Sequence, residues 1–473
     1  MMIGPLVAGC GPAASGTLLP STSRSVTGPP DGARRPIVID ADMDHSDIAA
    51  IAILLRDPAL DVRAITIAGT GLVHCAGGRR VTRYLLEEFR EEQIPFACGR
   101  EDGGPDARPF PDDWRAVADD AYGLEIPSRP QSGLPPDAVT VLLNAVAESP
   151  SAPTIVALGP WTNLEDAFAA DPTLADRIAG IHAMLGTVEA PGNVFVDGRT
   201  AGDPLEWNAF ADPSAVSAVF ATDVPIDLIP LDATKDVPVP PDLVDLLEAD
   251  HAAAGADLMY ELLLRTPSRM RADEGQQLWD ELAALTVSDP DLVTWRSDSL
   301  SAGDDGRLVA DGTGRPVHVA IAADAPAVKA AFLVALRRGA PRTTPFALAG
   351  SIDVQFRGDT CDLVGAEARR SPGLYVVHFS GIIGTPAGVT VAGVRAPHAW
   401  NELIDWLATL DVASMEQLPD WIVMGPSAND EAGTGGAMPG IGTLESGTYG
   451  PVCLHGTWPA ITFVPGTPFQ VAA

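Results

Sequence analysis

Lysine is nearly missing from this chain. Lys235 and Lys329 are the only two among 473 residues, and 30 basic side chains face 63 acidic ones. The formal charge of −33 excludes the broad basic face that a phosphate backbone needs, so no nucleic-acid partner is expected. That acidity reads as a solvated surface and identifies no partner of its own. Long apolar runs are missing as well: no segment beyond the N-terminus reaches the roughly 20 apolar residues of a membrane span. Cysteine is scarce, at five, and no Cys/His spacing suggests a metal site. What is present is a globular composition, 46% hydrophobic with 20% charged residues. The length suits two folded domains plus tails.

The first cysteine closes Leu6-Val7-Ala8-Gly9-Cys10, which resembles a bacterial lipobox, where the cysteine becomes a lipidated N-terminus. Residues 11–34 are rich in Gly, Pro, Ser and Thr and suit a flexible tether. Residues 1–34 are therefore expected to be a signal remnant and tether, on an exported chain that is secreted or held at the cell surface through Cys10. Membrane contact is expected only through that lipid. In an oxidising compartment Cys75–Cys98 and Cys361–Cys453 are plausible disulfides; four buried thiols are the alternative.

From residue 35 to about 340, short apolar runs alternate with helical patterns. Strands are expected at 36–40, 62–67, 94–97, 154–158, 180–185 and 224–231, and helices at 47–56, 76–89, 136–148, 162–169 and 241–250. Such alternation predicts α/β, an open, mostly parallel sheet with helices on both faces. The Gly-, Pro- and Asp-rich stretch 99–135 reads as a long loop carrying Trp114. After Arg342 the texture becomes β, with Gly- and Pro-rich intervals and one helix-like insertion at 399–407, so residues 345–473 are expected to form a β-sandwich-like domain.

The chemistry gathers at the end of the first strand. Asp40, Asp42, Asp44 and Asp47 fall within eight residues, where the carboxyl end of a strand in an open α/β sheet meets its ligand. Carboxylates so crowded repel one another unless a hard cation neutralises them. Other strand-end segments are Gly159-Pro160-Trp161-Thr162-Asn163, Met184-Leu185-Gly186, Gly192-Asn193, Glu206-Trp207-Asn208 and Trp279-Asp280.

Together and in this order, these segments resemble the signatures of the calcium-dependent nucleoside hydrolases, over residues 35–340. Asp40, Asp42 and Asp47 match three aspartates of the family's N-terminal Asp-x-Asp-Pro-Gly-x-Asp-Asp. The resemblance implies that Asp42, Asp47, the Thr162 carbonyl and Asp280 hold Ca²⁺. It implies that Asp42 takes the proton of the attacking water, and that Met184, Asn193, Glu206 and Asn208 line and grip the sugar. Asp40 is expected to brace the loop. Trp279 stands where some members carry a histidine, as in the purine-specific branch, and an indole can stack on a departing base but has no proton to give it. Trp114 is a candidate for the opposite face of that base, whereas Trp161 and Trp207 are expected to pack.

Departures from the family pattern are equally specific. Ser46 replaces the aspartate expected to contact the 2′-hydroxyl, Met43-Asp44 replaces Pro-Gly, and Thr70 replaces a sugar-holding asparagine. The implied function is Ca²⁺-dependent hydrolysis of the N-glycosidic bond of a purine-leaning nucleoside, by a chain free to self-associate. The competing expectation is a catalytically silent nucleoside- or sugar-binding lipoprotein that keeps the metal site.

Overall fold

The structure is a computed structural model describing residues 32–129, 137–196, 203–266, 276–365, 369–382, 386–395, 397–410, 418–430, 439–457 and 460–472. Cys10 and nearly all of the expected tether lie outside the described residues. Nine strands form the first sheet: β1 (Arg35–Ala41), β2 (Leu60–Ile67), β3 (Phe96–Cys98), β4 (Thr154–Ala157), β5 (Gly180–Met184), β6 (Ile226–Ile229), β7 (Val293–Ala302), β8 (Leu308–Val309) and β9 (Arg315–Ala323). Their order is β3-β2-β1-β4-β5-β6-β9-β7-β8. Strands β1 to β6 pair in parallel, and β9 joins β6 in parallel. Only β7 and β8 run against their neighbours.

Both faces of this sheet are covered, and β1 shows why its sequence is almost wholly apolar. Ile37, Ile39 and Ala41 enter one core while Val38 enters the other, because successive side chains of a strand point to opposite faces. One core takes α1 (His45–Arg56) and α2 (Cys75–Glu88), and also receives the helices Ala254–Arg265 and Trp279–Ser288. The other takes α4 (Ala138–Glu148) and α5 (Thr162–Ala170). Helix α1 is buried from His45 to Leu54, as suits a helix apolar nearly all round. The expected loop 99–135 is not loop throughout: α3 (Asp112–Asp119) lies within it and carries Trp114.

Beyond residue 349 a four-stranded and a six-stranded sheet follow. Ile352, Val354 and Val377 of the first meet Val389, Val391 and Val471 of the second in one core. Two disulfides are present: Cys75–Cys98 ties the start of α2 to the end of β3, and Cys361–Cys453 joins the two C-terminal sheets. Among the described residues no helix is long and apolar enough to cross a membrane.

Candidate active site

Strand order reverses between β1 and β4: from β1 the chain moves to β2 on one side, and β4 lies on the other. The loops that leave these two strands diverge and open a crevice at their carboxyl ends, the usual ligand position in such sheets. Asp40–Asp47 leaves β1 and Gly159–Thr162 leaves β4. The first loop turns sharply at Met43, a buried residue with φ +59°, a left-handed conformation uncommon for a side chain of this size. Gly71 and Gly159 close around Asp42, and a Cβ at Gly159 would lie 2.9 Å from the Asp42 Cβ.

Asp44 caps α1 in a capping box with Asp47, whose Oδ2 accepts the Asp44 N–H at 2.8 Å. The Asp44 carboxylate accepts from His45 Nδ1 at 2.6 Å and from the Tyr122 hydroxyl at 2.8 Å. Burial opposes its charge, but His45 and Tyr122 win and hold the carboxyl below its ordinary range. Asp44 is thus a cap with its own partners. Asp40 braces the site from behind, accepting from Thr66 Oγ1 at 2.6 Å and Asn163 Nδ2 at 2.7 Å. Burial nevertheless pushes it up to about 7.

Asp42, Asp47 and Asp280 meet because the helix Trp279–Ser288 packs on α1. Asp42 Oδ2 accepts the Leu72 N–H at 2.8 Å; burial, with the Asp44 charge behind it, raises this carboxyl to about 6. Asp47 and Asp280 are raised further, first by burial and then by the neighbouring carboxylates. Oδ1 of each is buried without a hydrogen-bond partner among the described residues. Two orphaned oxygens amid mutually repelling carboxylates are the donor set of a hard divalent cation. The chemistry therefore fits. The geometry is less complete, since no group of three or more His, Cys, Asp or Glu among the described residues is converged for ligation.

Over this acidic floor lies a cavity of about 520 Å³. Asp42, Ser46, Met184, Asn193, Glu206, Asn208, Trp279 and Asp280 all line it. Asp47 and Thr162 are buried and do not reach its wall. Several of the groups expected to grip the sugar are already engaged within the protein. Ser46 Oγ donates to Asp280 Oδ2. Glu206 caps the helix Trp207–Ala211, accepting from Gly186 N, Asn208 N and Ala209 N, although burial lifts it to about 7. Asn208 Nδ2 donates to the carbonyls of Leu158 and Met184, at 2.7 and 3.2 Å.

Two expectations need correction. Thr70 is not a cavity residue: its hydroxyl lies 2.7 Å from that of Thr162, which donates to Asp212 Oδ2 at 2.7 Å. The short Thr70 side chain is held by that neighbour. The Thr162 hydroxyl is spent in the same chain, so only its carbonyl remains for an ion. Trp161 is wholly buried against Phe220, but Trp207 both packs and lines the cavity, stacked on Phe110 at 4.7 Å and tilted against Trp114 at 5.3 Å. Phe110, Lys235 and Gln276 also line the cavity and were not anticipated as site residues; His45 lines it too. Only the apolar and aromatic pattern before α3 could have pointed to Phe110.

With this geometry in view, the comparisons with known proteins are specific. The sequence pattern of the inosine-uridine preferring nucleoside hydrolases matches residues 37–338. The chain belongs to that family. The pyrimidine-specific ribonucleoside hydrolase RihA of Citrobacter koseri is 32% identical over 205 residues, which is 42% of this chain and 61% of that protein. Its counterpart from Salmonella arizonae is 31% identical over the same shares. The chain thus spans 61% of the length of these curated relatives. Among solved structures, a plant nucleoside hydrolase superposes with a TM-score of 0.56 at 25% identity, over 64% of this chain and 99% of that one. A purine-preferring ribonucleoside hydrolase from Gardnerella vaginalis does so at 0.53 and 21%, over 64% and 98%, a likeness of fold.

Proposed function

We propose that the chain hydrolyses the N-glycosidic bond of a nucleoside, yielding free base and ribose, with Ca²⁺ as its cofactor. The observation carrying this reading is the single cavity in which buried, partly orphaned carboxylates form the floor and Trp279, Trp114, Trp207 and Phe110 form an aromatic wall. An acidic floor suits a sugar and a cation, whereas an aromatic wall suits a flat base.

Asp42, Asp47, Asp280 and the Thr162 carbonyl would hold the cation, which when bound supplies positive charge to orient water and the sugar diol. Asp42, at the floor, takes the proton of the attacking water. Water oxygen bonds to C1′ as the C1′–N bond breaks, through an oxocarbenium-like state, and the bonding pair leaves with the base. Asn193, Asn208 and Glu206 position the sugar; their own hydrogen bonds to the backbone make them rigid, which favours a fixed attack geometry. Trp279 lies against the base and assists its departure by stacking.

The purine leaning rests on Trp279 alone, and the RihA relatives are named pyrimidine-specific. A second reading, a silent nucleoside-binding protein, draws on Ser46 and Thr70, whose hydroxyls are engaged within the protein. The assay that separates them is release of free base from a nucleoside panel with and without a calcium chelator. Turnover that the chelator abolishes and Asp42→Asn lowers by about 10²–10⁴-fold is expected. Binding without turnover on every nucleoside would favour the second reading.

A further inference from the structure

On the flank of the first sheet, away from the catalytic cavity and sharing none of its lining, lies a cleft of about 230 Å³ walled by Arg79, Arg80, Arg83 and Arg129. Among the described residues its only acidic lining residue is Glu87. In a chain of charge −33 four guanidinium groups around so small a space are unexpected, and several arginines elsewhere are paired with carboxylates. Arg100 pairs with Glu165 and Asp166, and Arg296 with Asp298 and Glu189.

Among the described residues only one of the four cleft arginines, Arg129, is paired with a carboxylate. Arg80 Nη2 donates to the Asp119 carbonyl at 2.7 Å, a neutral partner. Arg129 meets Glu87 at 3.1 Å. Arg83 rests over the Phe96 ring at 5.9 Å. Arg79 has a buried Nε without a hydrogen-bond partner among the described residues. Among the described residues no carboxylate pairs with Arg79 or Arg83, which stand four residues apart on α2 and so share a helix face. Like charges at that spacing destabilise a helix unless something neutralises them. Ala76, one turn earlier and exposed, leaves the cleft open to solvent.

We propose that this cleft is an oxyanion site that binds a phosphate monoester through Arg79 and Arg83, with Arg80 and Arg129 at its sides. A guanidinium is a planar fork of donors that matches the oxygens of phosphate two at a time, and it keeps its charge at every physiological pH. Glu87 competes with the ligand for Arg129. The cleft holds one compact anion and lacks the length to follow a nucleic-acid backbone.

The test is calorimetric titration of the full chain with inorganic phosphate at constant, low ionic strength, followed by competition with methyl phosphate. One saturable site is expected, displaced by methyl phosphate. Arg79→Gln with Arg83→Gln should weaken it at least about tenfold, the scale of a lost charge-assisted contact. Glu87→Gln should shift it the other way, to severalfold tighter binding. Nucleoside cleavage should be unchanged in all variants, and without phosphate the thermal midpoint of the double arginine variant should be no lower than the parent's. Heat without saturation, equal binding by the double arginine variant, weaker binding by Glu87→Gln, or failure of methyl phosphate to compete would each overturn the proposal.

Discussion

Ser46 is the residue that most alters the local chemistry. It is 1% exposed and its one proton is committed to Asp280, so toward a ligand its oxygen can only accept, and as a neutral group. A carboxylate at that place would accept with charge, which makes a hydrogen bond about twice as strong. Ser46→Asp is therefore expected to lower KM for ribonucleosides by about five- to tenfold, equivalent to about 1 kcal/mol. It should leave KM for 2′-deoxynucleosides unchanged. Steady-state kinetics on the paired substrates checks this, and an equal change on both would place Ser46 away from the 2′-hydroxyl. Trp279 raises the question of the base. Stacking on an aromatic side chain contributes about 1–3 kcal/mol per base, so Trp279→Ala should cut kcat on purine nucleosides by about ten- to a hundredfold. Equal losses on purines and pyrimidines would leave Trp279 as part of the packing it also belongs to.

At the scale of elements, the acidic turn is built by α1 as much as by any ligand. Asp44→Ala removes an N-cap, worth about 1 kcal/mol, and leaves the Tyr122 hydroxyl buried without an acceptor, at about 1–3 kcal/mol more. A combined loss of about 2–4 kcal/mol in urea unfolding is expected. Tyr122→Phe in the same background should recover part of it. The sequence carried much of this element's logic: the strand, the aspartates and the following helix were all readable from apolar runs and their period. The strands β1 to β6 fell near their expected places for the same reason. Less legible was Ala254–Arg265, which is buried from Ala254 to Leu264, so its polar stripe of Asp257, Glu261 and Arg265 does not mark a solvent face. Strands β7 and β9 were hidden too, because β7 is mostly half-exposed and broken by charged residues. Side-chain commitment was least legible of all. Nothing in the pattern around Thr70 indicates that its hydroxyl turns to Thr162, since that contact spans 92 residues.

At the scale of the whole molecule, the change of texture after Arg342 suggests a joint, yet that joint is not a loose linker. Arg342 is 2% exposed. Its guanidinium pairs with Asp257 at 2.6 Å and Glu261 at 2.8 Å, both on Ala254–Arg265, and donates to the Tyr84 hydroxyl of α2 at 3.0 Å. The residues after it continue the attachment: Thr344 N donates to Glu88 Oε2 and Phe346 N to Asp257 Oδ2. Val376 of the C-terminal strands is itself part of the first core. A buried ion pair need not stabilise relative to apolar packing, but removing one partner strands the other charge, at about 3–5 kcal/mol. Arg342→Met leaves two carboxylates, of which Glu261 keeps Arg265 at 2.8 Å and Asp257 keeps His251 Nδ1 at 2.9 Å. The loss should therefore fall at the lower part of that range, and it should fall on the junction. In the parent chain, tryptophan fluorescence and the near-ultraviolet signal are expected to report one common unfolding transition. In Arg342→Met the C-terminal strands should open first, so that limited proteolysis cuts near residue 342 at denaturant concentrations where nucleoside cleavage persists. Coincident transitions in the variant, with a stability loss below about 1 kcal/mol, would mean that the apolar contact through Val376 carries the coupling and that Asp257 and Glu261 are satisfied without Arg342.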